Sequence, residues 1–464
     1  MNPPQSYEVI VLGGGKGGKT LATELGNKGV KTALIERSAE MIGGACINVA
    51  CIPTKTLIAS ARAAQAARRA GTFGIRTGEV AVDWPAVRRR AEGVVSAMRA
   101  MNHKNFTSAP ALDFILATAR FVGSKVIELR DNKGDVRQLT AEKIFINTGT
   151  RPAHPGIPGL DEVGALNSES IQHLDELPDH LIVLGGSYVA LEFAQMFRHF
   201  GSKVTVLERA PQLLKKEDAD LVEVLGGVLR EEGIDIRLDC GIERVEKDGQ
   251  GVSVVFTSDG KPARVSGSHL LMALGRSPNT EDLNLTAAGV ETDKRGFIKV
   301  NERLETTVSG IWALGDVNGG PQFTHASLDD YRIVKANVFD GGKRTTVDRL
   351  VPFTLFTEPE LARVGLTEKE ARQKGQDIFV AKLPVAAIPR AKTMSETRGF
   401  IKVVIDVKTN QILGCAIFSV EAGEMLGTVQ MAMIADLPFT TLHDAILSHP
   451  TMVEGFNNLP TNPN

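Results

Sequence analysis

Val9-Ile10-Val11-Leu12-Gly13-Gly14-Gly15-Lys16-Gly17-Gly18 is an apolar run that breaks into a glycine cluster. A helical stretch follows, then a second apolar run, Thr32-Ala33-Leu34-Ile35, which ends in Glu36. Short continuous apolar runs bounded by turn signals read as strands buried on both faces. The spacing from Gly13 through Gly15 to Gly18 is G-x-G-x-x-G, with an acid 18 positions past the last glycine. Glycines there permit a tight turn and close approach of backbone N–H groups to a pyrophosphate. The helix N-terminus adds partial positive charge, and Glu36 is placed for a ribose hydroxyl. Strand, loop, helix, strand and terminal acid together predict a dinucleotide-binding unit in an α/β fold.

The same residues also satisfy G-x-x-x-x-G-K-[ST] through Gly13, Gly18, Lys19 and Thr20, so a P-loop nucleotidase is the rival reading. That fold needs a second strand ending in Asp to hold Mg²⁺ near the loop. The candidate strands end instead in Glu36, in Asn147-Thr148-Gly149, or far down the chain in Gly315-Asp316. A second unit begins at Leu181-Ile182-Val183-Leu184-Gly185-Gly186-Ser187-Tyr188-Val189-Ala190, and its next strand, Lys203-Val204-Thr205-Val206-Leu207, ends in Glu208. Ser187 and Ala190 replace two fingerprint glycines, and both are small enough for close helix–strand packing. Glu208 accepts from a free 2′-hydroxyl and repels a 2′-phosphate, which favours NADH; Arg209 beside it leaves NADPH open. Two dinucleotide units in one chain imply electron transfer between two cofactors, one of them a flavin.

Directly after the first unit runs Gly43-Gly44-Ala45-Cys46-Ile47-Asn48-Val49-Ala50-Cys51-Ile52-Pro53-Thr54-Lys55. Two thiols five apart, at what reads as the start of a helix, can close a small disulfide and reopen it. A helix N-terminus and a nearby Lys both favour the reactive thiolate. The plainer reading is two inert buried thiols; the flanking Gly-Gly and Pro-Thr-Lys weigh against it.

Composition narrows the class. The chain has 464 residues, too many for one ordinary core, with 42% hydrophobic and 23% charged residues. Its formal net charge of −2 gives no support for a nucleic-acid surface. No apolar run approaches the ~18 residues of a membrane span. The N-terminal stretch is too short and polar for a signal peptide, and the expected setting is cytoplasmic. Four cysteines are too few for a secreted disulfide framework. Cys240 and Cys415 stand alone and are read as packing residues. No His/Cys cluster has metal-ligand spacing apart from Cys46 and Cys51, so no resident metal is expected; His325 and His449 are the histidines to watch.

Together with Asn147-Thr148-Gly149-Thr150, Ala273-Leu274-Gly275-Arg276-Ser277-Pro278, Trp312-Ala313-Leu314-Gly315-Asp316 and His449-Pro450-Thr451-Met452-Val453-Glu454, these motifs resemble the class I pyridine nucleotide–disulfide oxidoreductases. This is the FAD family of dihydrolipoamide dehydrogenase, glutathione reductase and mercuric reductase. Glu142–Gly149, Ser327–Val334 and Leu383–Ala391 look closest to its reactive-chlorine resistance branch, which implies an oxidant or metal reductase acting on hypothiocyanite or copper(II). The resemblance implies two Rossmann-like dinucleotide domains plus a C-terminal α+β dimerisation domain. The FAD domain would span about residues 1–150 and 281–348, the NAD(P) domain 151–280, and the interface domain 349–464. It also implies a homodimer with a shared active site, partnered by a small-molecule or metal-ion acceptor and by neither nucleic acid nor membrane.

Residue roles follow from the same resemblance. Gly13, Gly15, Gly18, Glu36, Gly44, Ala45, Lys55, Ala119, Thr148, Gly149, Asp316 and Thr324, with Gly185, Gly186, Tyr188, Glu192, Glu208 and Gly275, fall at cofactor-binding positions. Asp316 matches the carboxylate that holds the ribityl chain, Lys55 and Glu192 the ion pair beside flavin N5, and Tyr188 the ring that swings away for NADH. Cys51 would lie nearer the flavin and Cys46 would attack the acceptor. His449 would be the acid–base group toward Cys46, oriented by Glu454; the plainer reading has Pro450 opening a helix with Glu454 in its first turn. Ala45 and Ala50 stand where the family usually has Thr and Gly, which implies altered access or potential. A mercuric reductase would carry a C-terminal cysteine pair, whereas the last cysteine here is Cys415. Dihydrolipoamide dehydrogenase matches His449 and Glu454 equally well. A non-enzymatic redox sensor is the alternative from another class, and the second dinucleotide unit argues against it.

Overall fold

The computed structural model describes residues 3–258 and 260–461. The chain divides into two compact units, Met1–Thr56 with Arg88–His154 and Gly275–Arg349, and Leu57–Val87 with Pro155–Leu274 and Leu350–Asn464. Its elements begin with β1 (Gln5–Leu12), α1 (Lys16–Asn27), β2 (Thr32–Glu36), α2 (Ala45–Asn48), α3 (Cys51–Arg68), α4 (Trp84–Ser108), β3 (Leu112–Gly123), β4 (Val126–Asp131) and β5 (Val136–Ile146).

In the first unit β1 lies between β2 and β5 and runs parallel to both. β3 continues the parallel sheet beyond β2, and the late strand Ile311–Ala313 adds beyond β5. Parallel strands are covered on both faces, and the apolar runs in the sequence answer to this. Ile10, Val11, Leu34, Ile144 and Phe145 are fully buried. Leu12 is level with Ile35 on one side and with Ile146 on the other. The loops that leave these strands, Gly13–Gly15 and Asn147–Gly149, therefore meet at one edge together with Glu36, where ligands of such sheets bind.

In the second unit β6 (His180–Leu184), α5 (Tyr188–Phe200), β7 (Lys203–Leu207), β8 (Ile234–Arg237) and β9 (His269–Met272) form a four-stranded parallel sheet in the order β9-β6-β7-β8. Residues 350–461 build a five-stranded antiparallel sheet on which the helix Ala422–Ile434 packs through Ala422, Met425, Leu426, Val429 and Ala432. The strand Phe400–Asp406, whose alternation suits an antiparallel sheet, pairs antiparallel on both sides and is buried from Phe400 to Ile405. No helix among the described residues is long and apolar enough to cross a membrane.

Candidate active site

The two glycine loops are built alike, each within its own unit. Gly13 N–H donates to Ile35 O at 2.8 Å, and Gly185 N–H to Leu207 O at 2.9 Å. Gly13 has φ +97° and Gly185 φ +111°, conformations open to glycine at little cost. A Cβ on Gly13 would lie 2.4 Å from Asn147 O, and one on Gly185 2.7 Å from Ala273 O. Glu36 accepts from Gly14 N–H at 3.0 Å and from Arg37 N–H at 2.8 Å; Glu208 accepts from Gly186 N–H and from Ala210 N–H. Both acid–glycine pairs are 22 residues apart. Burial pushes the Glu36 carboxyl up against these backbone donors. At α1 the Gly17 and Gly18 N–H groups are taken by Ser327 Oγ and Asn147 Oδ1, whereas no side chain caps α5, whose N-terminus keeps donors for a phosphate. Glycine faces closed to a Cβ and an acid bonded to each loop fit a dinucleotide in each unit.

Gly13→Ala is expected to clash with Asn147, to cost roughly 1–3 kcal/mol, and to leave the protein largely without flavin. The ratio of flavin to protein absorbance measures this, and full flavin content would refute the packing account. The P-loop reading fails on the same loop. Lys19 Nζ donates to Asn102 Oδ1 on α4 at 2.8 Å, and the Thr20 hydroxyl donates to Lys16 O at 2.6 Å. Both polar groups are thus bound within the protein itself.

The cysteines lie on two elements. Cys46 is in the one-turn α2, entered through Gly43 (φ +93°) and Gly44 (φ +86°), and Cys51 is the first residue of α3. A Cβ on Gly44 would lie 2.6 Å from Gly15 Cα, which presses the cysteine segment against the first glycine loop. Both thiols are half-buried, and they are hydrogen-bond neighbours. Cys51 and burial push the Cys46 thiol up; the Thr324 hydroxyl and the Lys19 ammonium pull the other way. Thr324 Oγ1 lies 3.6 Å from Cys51 Sγ. Cys240 and Cys415 are buried.

The remaining candidates of the first unit fall around the same edge. Asp316 accepts from the Thr150 hydroxyl at 3.0 Å, and burial pushes its carboxyl up, with Arg276 opposing. Thr148 and Gly149 sit in the loop after β5, locked to Asn279 through Thr148 Oγ1 to Asn279 O (2.9 Å) and Asn279 N–H to Gly149 O (3.0 Å). Gly275 (φ +114°) returns beside it, accepting from Ala153 N–H at 3.0 Å. Ala45 opens α2, Lys55 is half-buried on α3, and Ala119 lies on β3 opposite Leu129.

In the second unit the Tyr188 hydroxyl donates to Glu217 Oε1 at 3.0 Å and its ring meets Phe353 edge-on. Burial and Glu217 push that phenol up. Glu192 is buried on α5 and accepts from Phe356 N–H at 3.0 Å. His449 Nδ1 pairs with Glu454 Oε2 at 2.8 Å; the imidazole is 68% exposed, whereas Glu454 is buried with its Oε1 lacking a hydrogen-bond partner. Pro450 opens no helix; a 3₁₀ turn runs over Val453–Asn458, with Glu454 in its first turn.

Sequence reasoning missed the groups that hold these loops in place. Asn147 Oδ1 accepts from Gly18 N–H at 2.9 Å while its Nδ2 donates to Leu314 O. Ser327 Oγ accepts from Gly17 N–H at 3.1 Å, and buried Asp330 accepts from Gly315 N–H at 2.7 Å while pairing with Arg349. Their only sequence signal was inclusion in the quoted family stretches.

The pyridine nucleotide-disulphide oxidoreductase family matches residues 7–330, and its dimerisation domain matches residues 351–460. The chain is 43% identical over 455 residues to the probable pyridine nucleotide-disulfide oxidoreductase RclA of Escherichia coli strain K12, covering 98% of each chain. It is 34% identical to a mercuric reductase of Staphylococcus aureus, over 98% of this chain and 82% of that one. With the dihydrolipoyl dehydrogenase of Bacillus subtilis strain 168 it shares 32% identity, over 97% and 96%. A solved Cu(II) complex of the HOCl-induced flavoprotein disulfide reductase RclA from Escherichia coli matches with a TM-score of 0.90 at 42% identity, over 98% of each chain. The family uses FAD and NAD(P)H, and its dimerisation domain indicates a homodimer. Exposed Met431, Ile434, Leu437 and Ile446 in that domain are the kind of apolar surface a subunit contact covers. This chain is an enzyme that belongs to the pyridine nucleotide-disulphide oxidoreductases, a flavoprotein disulfide reductase of the RclA and mercuric reductase type.

Proposed function

We propose that the enzyme passes electrons from NADH, through FAD and the Cys46–Cys51 pair, to an oxidant or metal-ion acceptor such as hypothiocyanite or copper(II). The observation that carries this reading is the pair of adjoining cysteines beside the first glycine loop. The bound flavin supplies a two-electron relay between nicotinamide and disulfide. In this assignment residues 1–150 and 281–348 hold FAD, residues 151–280 hold NADH and residues 349–464 form the dimer contact. Gly13, Gly15, Gly18, Glu36 and Asp316 hold the flavin nucleotide; Gly185, Gly186, Glu208 and Gly275 hold NADH, with Glu208 favouring a free 2′-hydroxyl. Tyr188 leaves Glu217 to admit the nicotinamide, and Lys55 and Glu192 set the charge beside the flavin ring. Cytoplasm suits a dithiol that must stay reducible.

Cys46 meets the acceptor. With an acceptor X–OH, the Cys46 sulfur bonds to X as the X–O bond breaks, and the departing hydroxide takes a proton to become water. The Cys51 thiol then loses its proton to solvent, its sulfur bonds to the Cys46 sulfur, and X leaves as an anion. The dithiol loses two electrons and the acceptor gains two. Because its neighbour and burial push the Cys46 thiol up, that proton needs a base. His449, with Nδ1 tied to Glu454, offers its Nε2 for this, reaching the dithiol of the partner subunit.

The test is NADH oxidation with hypothiocyanite, copper(II), lipoamide, oxidised glutathione and mercury(II) as acceptors. Fast turnover with hypothiocyanite or copper(II) and little with lipoamide is expected. The His449–Glu454 pair serves a disulfide acceptor equally well, so fast lipoamide turnover would replace this acceptor assignment with dihydrolipoamide dehydrogenase activity.

A further inference from the structure

Lys19 occupies the lysine position of the abandoned P-loop match, and the dinucleotide reading gives it no task. Its ammonium does not float in solvent. Asn102 Oδ1 on α4 accepts from Nζ at 2.8 Å, and the Asn102 amide is itself fixed by donation to Met98 O at 2.7 Å. That amide lies 3.2–3.3 Å from where a Gly43 Cβ would stand, so the Lys19–Asn102 pair sits against the bend that delivers Cys46. α4 holds the same segment a second time, through Arg99 Nε to Asn48 Oδ1 at 2.8 Å, while Asn48 Nδ2 clasps Ile42 O and Gly44 O. Lys19 and Cys46 feel each other's charge: the ammonium pulls the thiol down, and the sulfur supports the ammonium against burial and neighbouring Lys16, which hold Lys19 down to about 8.

We propose that Lys19 is a positioning residue for the acceptor half-reaction, whose ammonium, fixed by Asn102 against the Gly43–Gly44 bend, stabilises the Cys46 thiolate and draws small anionic oxidants to it in preference to cationic metal acceptors. This rests on the reading of Cys46 as the thiol that meets the acceptor. A fixed cation beside a half-buried sulfur acts twice on an anionic reagent, once through the thiolate fraction and once through attraction of the reagent. On a neutral reagent it acts only through the first.

The two effects separate by alkylation of the reduced holoenzyme near neutral pH, with iodoacetate as the anionic probe and iodoacetamide as the neutral one, read on the Cys46 peptide by mass. Lys19→Met is expected to slow iodoacetate by roughly tenfold and iodoacetamide by roughly threefold, and Lys19→Arg to restore the wild-type ratio. Lys19→Gln serves the same comparison where Lys19→Met fails to hold flavin. An unchanged iodoacetate-to-iodoacetamide ratio in the neutral variants overturns the proposal while leaving Cys46 as the reactive thiol. If instead Cys46 in the wild-type protein reacts with neither probe, the reading of Cys46 falls first and this inference falls with it.

Discussion

Cys46→Ser is expected to lower NADH-driven turnover with hypothiocyanite by on the order of 10³-fold or more, the scale on which losing a nucleophile acts, while the protein keeps its flavin. The serine is similar in size and sits in a one-turn helix whose hold on the fold comes from Asn48 and Arg99, so the loop persists without the sulfur. NADH should still bleach the flavin, because the second dinucleotide unit is untouched. Cys51→Ser should lose turnover to a similar extent and for a different reason. Cys46 would still react with an oxidant, but no second sulfur would resolve the adduct, so a single equivalent of oxidant should be consumed and then nothing. Rapid mixing with one and with several equivalents of oxidant distinguishes the two variants. Full hypothiocyanite turnover in Cys46→Ser would remove the dithiol from the electron path. Copper(II) reduction that survives the same change would mean that copper draws its electrons from the flavin.

Lys402→Met is expected to destabilise the protein by about 3 kcal/mol, the lower end of the range for removing one partner of a buried ionic cluster. Lys402 is 3% exposed and lies 3.0 Å from Asp218, 3.2 Å from Asp220 and 2.7 Å from Glu368. Asp220 and Glu368 reach solvent, which screens part of the repulsion left behind and sets the lower figure. The Lys402 interaction holds the Glu368 carboxyl down against burial; burial pushes Asp220 up, but Lys382 and Lys402 outweigh it and hold it below the usual range. Carboxylates with lowered folded values contribute stability that is present above the ordinary carboxylate range and lost as pH falls through the lowered values. Urea denaturation at neutral and at acid pH measures both effects. The wild-type advantage over Lys402→Met should shrink at acid pH, and adding Asp218→Asn and Glu368→Gln to Lys402→Met should recover part of the loss at neutral pH. Equal urea midpoints for the wild type and Lys402→Met would refute the cluster's role.

The sequence by itself determined the two dinucleotide units and the cysteine segment, because those depend on spacing along a short stretch. A tight turn needs its glycines in order, and the acid at the end of the second strand meets the loop because both strands of a parallel pair end together. That is why Gly14 and Glu36, like Gly186 and Glu208, are found in contact at the same separation. Side-chain partners over longer separations were decided only by the tertiary structure. Lys19 satisfied a phosphate motif, yet it binds Asn102, 83 residues away, because α4 covers the cysteine segment. Gly17 is held by Ser327, 310 residues away, because the helix Thr324–Phe339 packs on α1. Lys402 carries a charge on a strand buried on both faces, and it is accommodated there because Asp218, 184 residues back, meets it. Periodicity reports which face of an element is apolar, whereas the pairing of one buried charge with another depends on which elements the packed core brings together.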